Sequence, residues 1–386
     1  MAEADLAGSA SVLVLLFALF LFVSALEDSG ALDHIARWLV GRAPEARQLP
    51  VVVFVGFGIA SAFLVNDALV VIGVPVLLAV ARRLSIAARP LLLTLAFSVT
   101  VGSVLTPFGN PQNLLVALDS GLTAPVTVFL RYLLVPTAAN LAIGALYLRW
   151  RFGPELRPAA GSPPAPEARL ALLPEGGWPE RLARHPVLVI FPGTLTVLLT
   201  LDITATATGG PQVPIWATAA AGACLLLLVT PNRGPIVRKV NWEILLLFAG
   251  LFVVVGAAVH GGLIGAGERL VRLPGPHTPL AGIGVIAATS VVGCQLVSNV
   301  PWVAVEIPVL AAAGYGASTP IAWVALAGAS TLSGNVTLLG AASNLIVVDL
   351  ADKAGVRIDL RTFVRDGLPI AAASLLVLVA CLLLGL

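Results

Sequence analysis

The sequence predicts an all-α membrane protein built from two related halves. Three observations carry that prediction: an apolar composition, a succession of helix-length apolar runs, and two motifs that recur at a nearly constant spacing. Of 386 residues, 58% are hydrophobic and 11% charged, and the mean hydropathy is +0.99. Soluble domains carry about 25% charged residues, and a chain of this size cannot hide so much apolar surface from water. Lipid is the alternative solvent, and about 20 mostly apolar residues let one helix cross it. The net charge of +2 and the lack of a basic stripe point away from nucleic acid. Cys224, Cys294 and Cys381 lie far apart in apolar runs without CxxC spacing, so neither zinc nor a disulfide framework is implied, and no cofactor is expected.

Residues 1–8 carry Glu3 and Asp5 where a signal peptide has basic residues. The first apolar run, 9–26, is therefore expected to stay as a membrane helix. Further runs follow at 50–64, 65–80, 90–105, 125–150, 186–201, 214–230, 242–260, 278–294, 297–313, 320–332 and 368–386. Several begin at proline, which suits a first helical turn because its missing N–H would be unpaired there anyway. The segment 151–185 is polar and rich in proline, arginine and glutamate, and reads as a linker between a repeat over 1–150 and a second over 186–386. Arg149, Arg151, Arg157, Arg169, Arg181 and Arg184 place this linker in the cytoplasm. Arg82, Arg83, Arg89, Arg233, Arg238 and Lys239 agree with that side, whereas Arg37, Arg42 and Arg47 oppose it. The expected location is the cell membrane, as a multi-pass protein.

The halves share motifs. Asn66 and Pro75 recur as Asn299 and Pro308, both 233 residues on (299 − 66, 308 − 75). Thr106, Gly109 and Asn113 recur as Thr337, Gly340 and Asn344, each 231 residues on (337 − 106). Gly102, Pro107, Gly109 and Pro111 interrupt one apolar stretch, with Asn110, Gln112 and Asn113 beside them. Gly334, Asn335, Gly340, Ser343 and Asn344 interrupt its counterpart. Proline blocks a helical hydrogen bond and glycine weakens the helix. In lipid, broken backbone survives only against protein or a wet cavity, and paired breaks in two halves mark the midplane site of a transporter. A lone membrane Asn is more often interhelical glue; clusters of amides at breaks in both halves point to a site. Asp67 and Glu306 are carboxylates inside apolar runs, where charge is costly and usually functional. Asp202, Asp349 and His260 read as helix-end residues.

The segments Leu64-Val65-Asn66-Asp67, Thr106-Pro107-Phe108-Gly109-Asn110-Pro111-Gln112-Asn113-Leu114 and Gly334-Asn335-Val336-Thr337-Leu338-Leu339-Gly340-Ala341-Ala342-Ser343-Asn344-Leu345 resemble the ion transporter superfamily. That group includes divalent anion/sodium symporters, citrate transporters, sodium/proton antiporters and arsenite efflux permeases. The wording is most similar to the arsenite permease branch and plant silicon exporters. The resemblance implies inverted repeats, each with a re-entrant helical hairpin and a discontinuous transmembrane helix. It also implies an elevator-type transport domain sliding against a dimeric scaffold, hence a homodimer.

Carried over, the hairpin tips are Asn66–Asp67 and Ser298–Asn299, and the unwound loops are 102–113 and 334–344. In the sodium-coupled symporters each tip reads Ser-Asn-Thr, with cations held by the Asn and nearby carbonyls. Here the tips read Val65-Asn66-Asp67 and Ser298-Asn299-Val300, so the resemblance implies a coupling H+ or a differently built Na+ site at Asn66, Asp67 and Asn299. The full set of candidate substrate- and ion-binding residues is Asn66, Asp67, Ser103, Thr106, Gly109, Asn110, Gln112, Asn113, Ser298, Asn299, Asn335, Thr337, Gly340, Ser343 and Asn344. Amides and hydroxyls can hydrogen-bond oxygens, and no Arg or Lys lies inside the motifs. A neutral or singly charged oxyacid, arsenite- or silicate-like, therefore fits better than a multiply charged carboxylate. The expected function is ion-coupled secondary transport of such a small molecule. The alternatives are a sodium/proton antiporter using Asp67, a carboxylate/sodium symporter, or a channel. An enzyme is not expected, since the four histidines lie outside the paired motifs.

Overall fold

The computed structural model describes residues 2–41, 45–156, 184–262, 265, 273–276 and 278–385. Most of the 151–185 linker, including Arg157, Arg169 and Arg181, lies outside the described residues, as does Arg42. Among the described residues there are sixteen α-helices and no β-strand. The first half contains α1 (Ala2–Asp28), α2 (Ala31–Gly41), α3 (Leu49–Ser61), α4 (Asn66–Arg83), α5 (Ala88–Gly102), α6 (Pro111–Asp119) and α7 (Pro125–Phe152). The second contains α8 (Val187–Thr208), α9 (Ile215–Val229), α10 (Gly234–Arg238), α11 (Trp242–His260), α12 (Pro279–Val297), α13 (Asn299–Ala312), α14 (Pro320–Ser333), α15 (Ala342–Lys353) and α16 (Leu360–Leu384).

Among the described residues, six helices are long and apolar enough to cross a bilayer: α1, α5 with its 3-10 extension, α7, α8, α11 and α16. Proline opens α6, α7, α12 and α14 within their first two positions. The sequence did not announce α2, whose charges were read only as orientation signals; it has the amphipathic pattern of a helix lying at an interface.

The paired order is visible throughout. The hairpin α3–α4 turns through residues 62–65, and α12–α13 turns at Ser298 alone. Each hairpin is followed by a helix that breaks and restarts, α5–α6 and then α14–α15, and by one long helix, α7 and then α16. Pro75 and Pro308 fall inside α4 and α13 at matching places.

Packing sorts the helices into two groups. α3 to α7 and α12 to α16 pack densely on one another, and α1, α8, α9, α10 and α11 pack on one another. Between the groups the contacts are sparser, chiefly α1 on α6, α7 on α8 and α11 on α13, while α2 touches α1, α3 and α4. In the first group, the long helices are joined at one end: Arg151 Nε donates to Asp366 Oδ1 at 2.9 Å, and the Asp366 carboxylate also accepts from Arg365. In the second group, Ser24 Oγ donates to Ile236 O at 2.6 Å and Lys239 pairs with Asp28 at 3.1 Å.

Candidate functional site

Four helices begin at the paired motifs: α4, α6, α13 and α15. They pair crosswise, α4 lying against α15 and α13 against α6. A helix start leaves backbone N–H groups without intrahelical partners and carries partial positive charge, so these ends favour oxygen-bearing ligands. Asn66 and Asn299 act alike at the two tips: each side-chain Oδ1 accepts the N–H of the next residue, Asp67 or Val300, at 2.9 Å. Asn66 N–H donates to Gly109 O at 2.9 Å, which fastens the first tip to the first loop. Its Nδ2 reaches Ser343 Oγ at 3.5 Å, at the start of α15. Ser298 holds φ +68° with ψ 166°, a region that disfavours any residue but glycine.

The loops are held by their own side chains. Asn113 Nδ2 donates to Ser103 O, Val104 O and Thr106 O at 3.0, 3.3 and 3.1 Å. Asn344 Nδ2 does the same to Gly334 O and Thr337 O at 2.7 and 3.3 Å. Each amide replaces helical partners for carbonyls freed by the break, which would be costly to leave bare at membrane depth. Asn110 caps α6 through the Asn113 N–H at 2.8 Å and donates to Ser103 and Thr331. Thr106 Oγ1 donates to Ala62 O beside the first tip, and Thr337 Oγ1 to Gln295 Oε1 at 2.7 Å beside the second. At Gly109 and Gly340 the backbone of the loop passes close: a Cβ would sit 2.3 Å from Ser103 O in one, and 2.9 Å from Gly334 Cα in the other.

The structure therefore brings all fifteen candidate residues to two tips and two loops, but gives them different work. Asn113, Asn344, Thr106 and Thr337 hold the loops and tips; Gly109 and Gly340 let them close. Ser103 receives Asn110. Gln112 Nε2 donates to Thr331 Oγ1 at 3.1 Å, joining loop 1 to α14. Asn335 Nδ2 reaches Phe97 O at 3.3 Å across the halves, while its Oδ1 is buried without a hydrogen-bond partner. Sequence reading passed over Thr331, which also donates to Asn113 Oδ1 at 3.1 Å. It also passed over Gln295, whose Nε2 donates to Ser333 O at 3.0 Å. Gln295 carried a signal, an amide in an apolar run just before the second tip; Thr331 carried none beyond its place near Gly334.

Asp67 faces a cavity of about 150 Å3 that lies between the two helix groups. Ser24 and Glu27 of α1, Lys239 and Asn241 beside α11, and Ile346 of α15 complete its wall. A second cavity of about 330 Å3 shares Glu27 and Val71 with it and runs along α4 to Arg83. Together they lead from the first tip toward the end of α4 that carries Arg82 and Arg83. A larger cavity of about 410 Å3, at Glu45, Arg47, Arg149 and Trp150, lies away from the motifs. No group of three or more His, Cys, Asp and Glu residues able to hold a metal occurs among the described residues.

Broken helices, hairpin tips and a cavity at Asp67 in an apolar bundle suit a multi-pass membrane transporter. The chain belongs to the citrate transporter family (CitMHS), which matches residues 3–332. It is 30% identical to the uncharacterized transporter MT2759 of Mycobacterium tuberculosis, over 94% of this chain and 83% of that one. It is 28% identical to the silicon efflux transporter LSI3 of Oryza sativa subsp. japonica, over 89% of this chain and 79% of the other. Among solved structures, the Alcanivorax borkumensis YdaH transporter, described as having an unusual topology, shares the fold with a TM-score of 0.60. That match covers 98% of this chain and 86% of the other at 15% identity.

Proposed function

We propose that this protein is a secondary active carrier of a small, neutral or singly charged oxyacid of the silicate or arsenite kind, coupled to H+ or Na+ through Asp67. The observation that carries the reading is the Asp67 carboxylate at the first hairpin tip, facing a cavity between the two helix groups. Hydroxyls and amides of the tips and loops supply neutral hydrogen-bonding groups for oxygens, and the motifs supply no cationic clamp. The similarity to a silicon efflux transporter supports the same substrate class.

The sparse packing between the groups supports elevator-type alternating access. The hairpin-bearing group would slide against α1 and α8–α11, in inverted repeats and as a homodimer. One observation favours a second reading, carboxylate/sodium symport: Lys239 lines the Asp67 cavity and could meet an anion, although Asp28 already holds it.

Purified protein in proteoliposomes decides between them. Saturable silicate or arsenite flux that depends on a pH or sodium gradient, lost in Asp67→Asn, is the expected result. Tight, saturable citrate transport with no silicate or arsenite flux overturns the oxyacid reading.

A further inference from the structure

The second hairpin contains a buried polar group that the transport site does not use. Its arms run antiparallel, with the Trp302 ring filling the space beside Gly293, where a Cβ would lie 2.1 Å from ring atoms. One helical turn further from the tip, Glu306 accepts a hydrogen bond from Thr289 Oγ1 at 3.4 Å. Glu306 is only 5% exposed. Ser290, next to Thr289, is fully buried and its Oγ makes no hydrogen bond.

The first hairpin shows what this position needs for packing alone. At the repeat offset of 233, Ser290 and Glu306 stand where Phe57 and Gly73 stand (290 − 57, 306 − 73). There the Phe57 ring and Leu95 fill the space over Gly73, 2.9 and 2.8 Å from an added Cβ. At this position a glycine under an aromatic ring stands in one hairpin, and a carboxylate beside the Thr289 hydroxyl in the other.

We propose that Glu306, beside Thr289, is a proton-binding site inside the second hairpin, distinct from Asp67. No counter-charge supports an ionised form. Among the described residues of the elements packed on α13, the titratable groups are Cys294 in α12, Asp119 at the end of α6, and Glu243 and His260 at the two ends of α11; α14 has none. None of them carries a positive charge beside Glu306, and an unpaired carboxylate is costly in hydrocarbon. With the arms packed, the carboxyl holds its proton; when water enters between the arms, it releases the proton to that water.

This use in coupling rests on the carrier reading, but the titration itself does not. Infrared difference spectra of the purified protein in lipid nanodiscs, recorded across the folded pH range, test it. The expected result is a protonated carboxyl C=O band at neutral pH that persists in Asp67→Asn, vanishes in Glu306→Gln, and fades as pH rises. Glu306→Asp should restore a shifted band, which separates loss of the acid from loss of the fold. A band absent at neutral pH, one that never titrates, or one removed by sodium at constant pH overturns the proposal. Failure to find oxyacid transport with the band intact would instead sink only the carrier reading.

Discussion

The two hairpins use the same backbone device and differ in where they put their charge. Hairpin 1 turns through four residues, closes Gly73 against Phe57 and Leu95, and presents Asp67 at its tip to the cavity between the helix groups. Hairpin 2 turns at Ser298 alone, seats Trp302 on Gly293, and carries Glu306 between its arms, where the tip itself has only Val300. What is common to both is what the backbone demands: an Asn accepting the first free N–H of the inward helix, and a second Asn plugging the broken loop. What differs is titratable. Duplicated architecture fixes the site's shape, and divergence within it places the ionisable groups.

The largest break in this comparison should come at the loop glycines. Gly109→Ala would drive its Cβ to 2.3 Å from Ser103 O, and Ser103 backbone is itself held by Asn110 and Asn113. Neither backbone segment can yield, so destabilisation of about 4 kcal/mol or more is expected, with little folded protein recovered. At Gly340 an added Cβ meets Gly334 Cα at 2.9 Å and the Gln295 side-chain amide at 3.0 Å. There the cost should be about 1–3 kcal/mol. Thermal unfolding in detergent, followed by size-exclusion profile, ranks the two; equal losses would show that the loops are not differently constrained.

Removing the loop amides comes next. Asn113→Ala strips donors from three carbonyls and an acceptor from Thr331, whereas Asn344→Ala strips donors from two carbonyls. At about 1–3 kcal/mol for each buried group left unsatisfied, with water or relaxation recovering part, losses near 3 and 2 kcal/mol are expected. Melting midpoints of both variants, and of the double variant, check the order. If Asn344→Ala were instead neutral in stability but abolished transport, its amide would be a ligand group and not a loop plug.

These residues also show how far the chain could be read unaided. The hairpins, breaks and multi-pass architecture were legible because lipid leaves few solutions: apolar runs must be helices, and Gly, Pro and Asn inside them must be breaks. The fifteen candidate residues do gather at two tips and two loops, since repetition marked them. Sequence could not say that Asn113 and Asn344 point their amides back at their own loops, because an amide that binds a carbonyl and one that binds a ligand look alike in a string. Nor could it find Thr331 or Lys239, which reach the site only through tertiary packing from α14 and from beside α11.

The smallest expected effect distinguishes the starts of the two long helices. In α7, the N–H and hydroxyl of Thr127 both donate to Asp202 Oδ2, at 2.7 and 2.6 Å, from α8 in the other helix group. In α16, Asp359 caps its own helix, accepting the Thr362 N–H at 2.7 Å. Replacing Asp202 by Ala should cost about 1 kcal/mol and loosen the contact between the groups. The Asp359 cap should show itself through pH. The Thr362 backbone N–H, then its hydroxyl, hold the exposed Asp359 carboxyl below its usual range. Its contribution is therefore fully present above the unfolded value of about 3.9 and disappears as pH falls through the lowered folded value. Asp359→Asn should flatten the acid side of the melting curve below about pH 4 and leave neutral pH nearly unchanged. A variant whose melting temperature still fell as steeply in acid would assign that loss to another carboxylate.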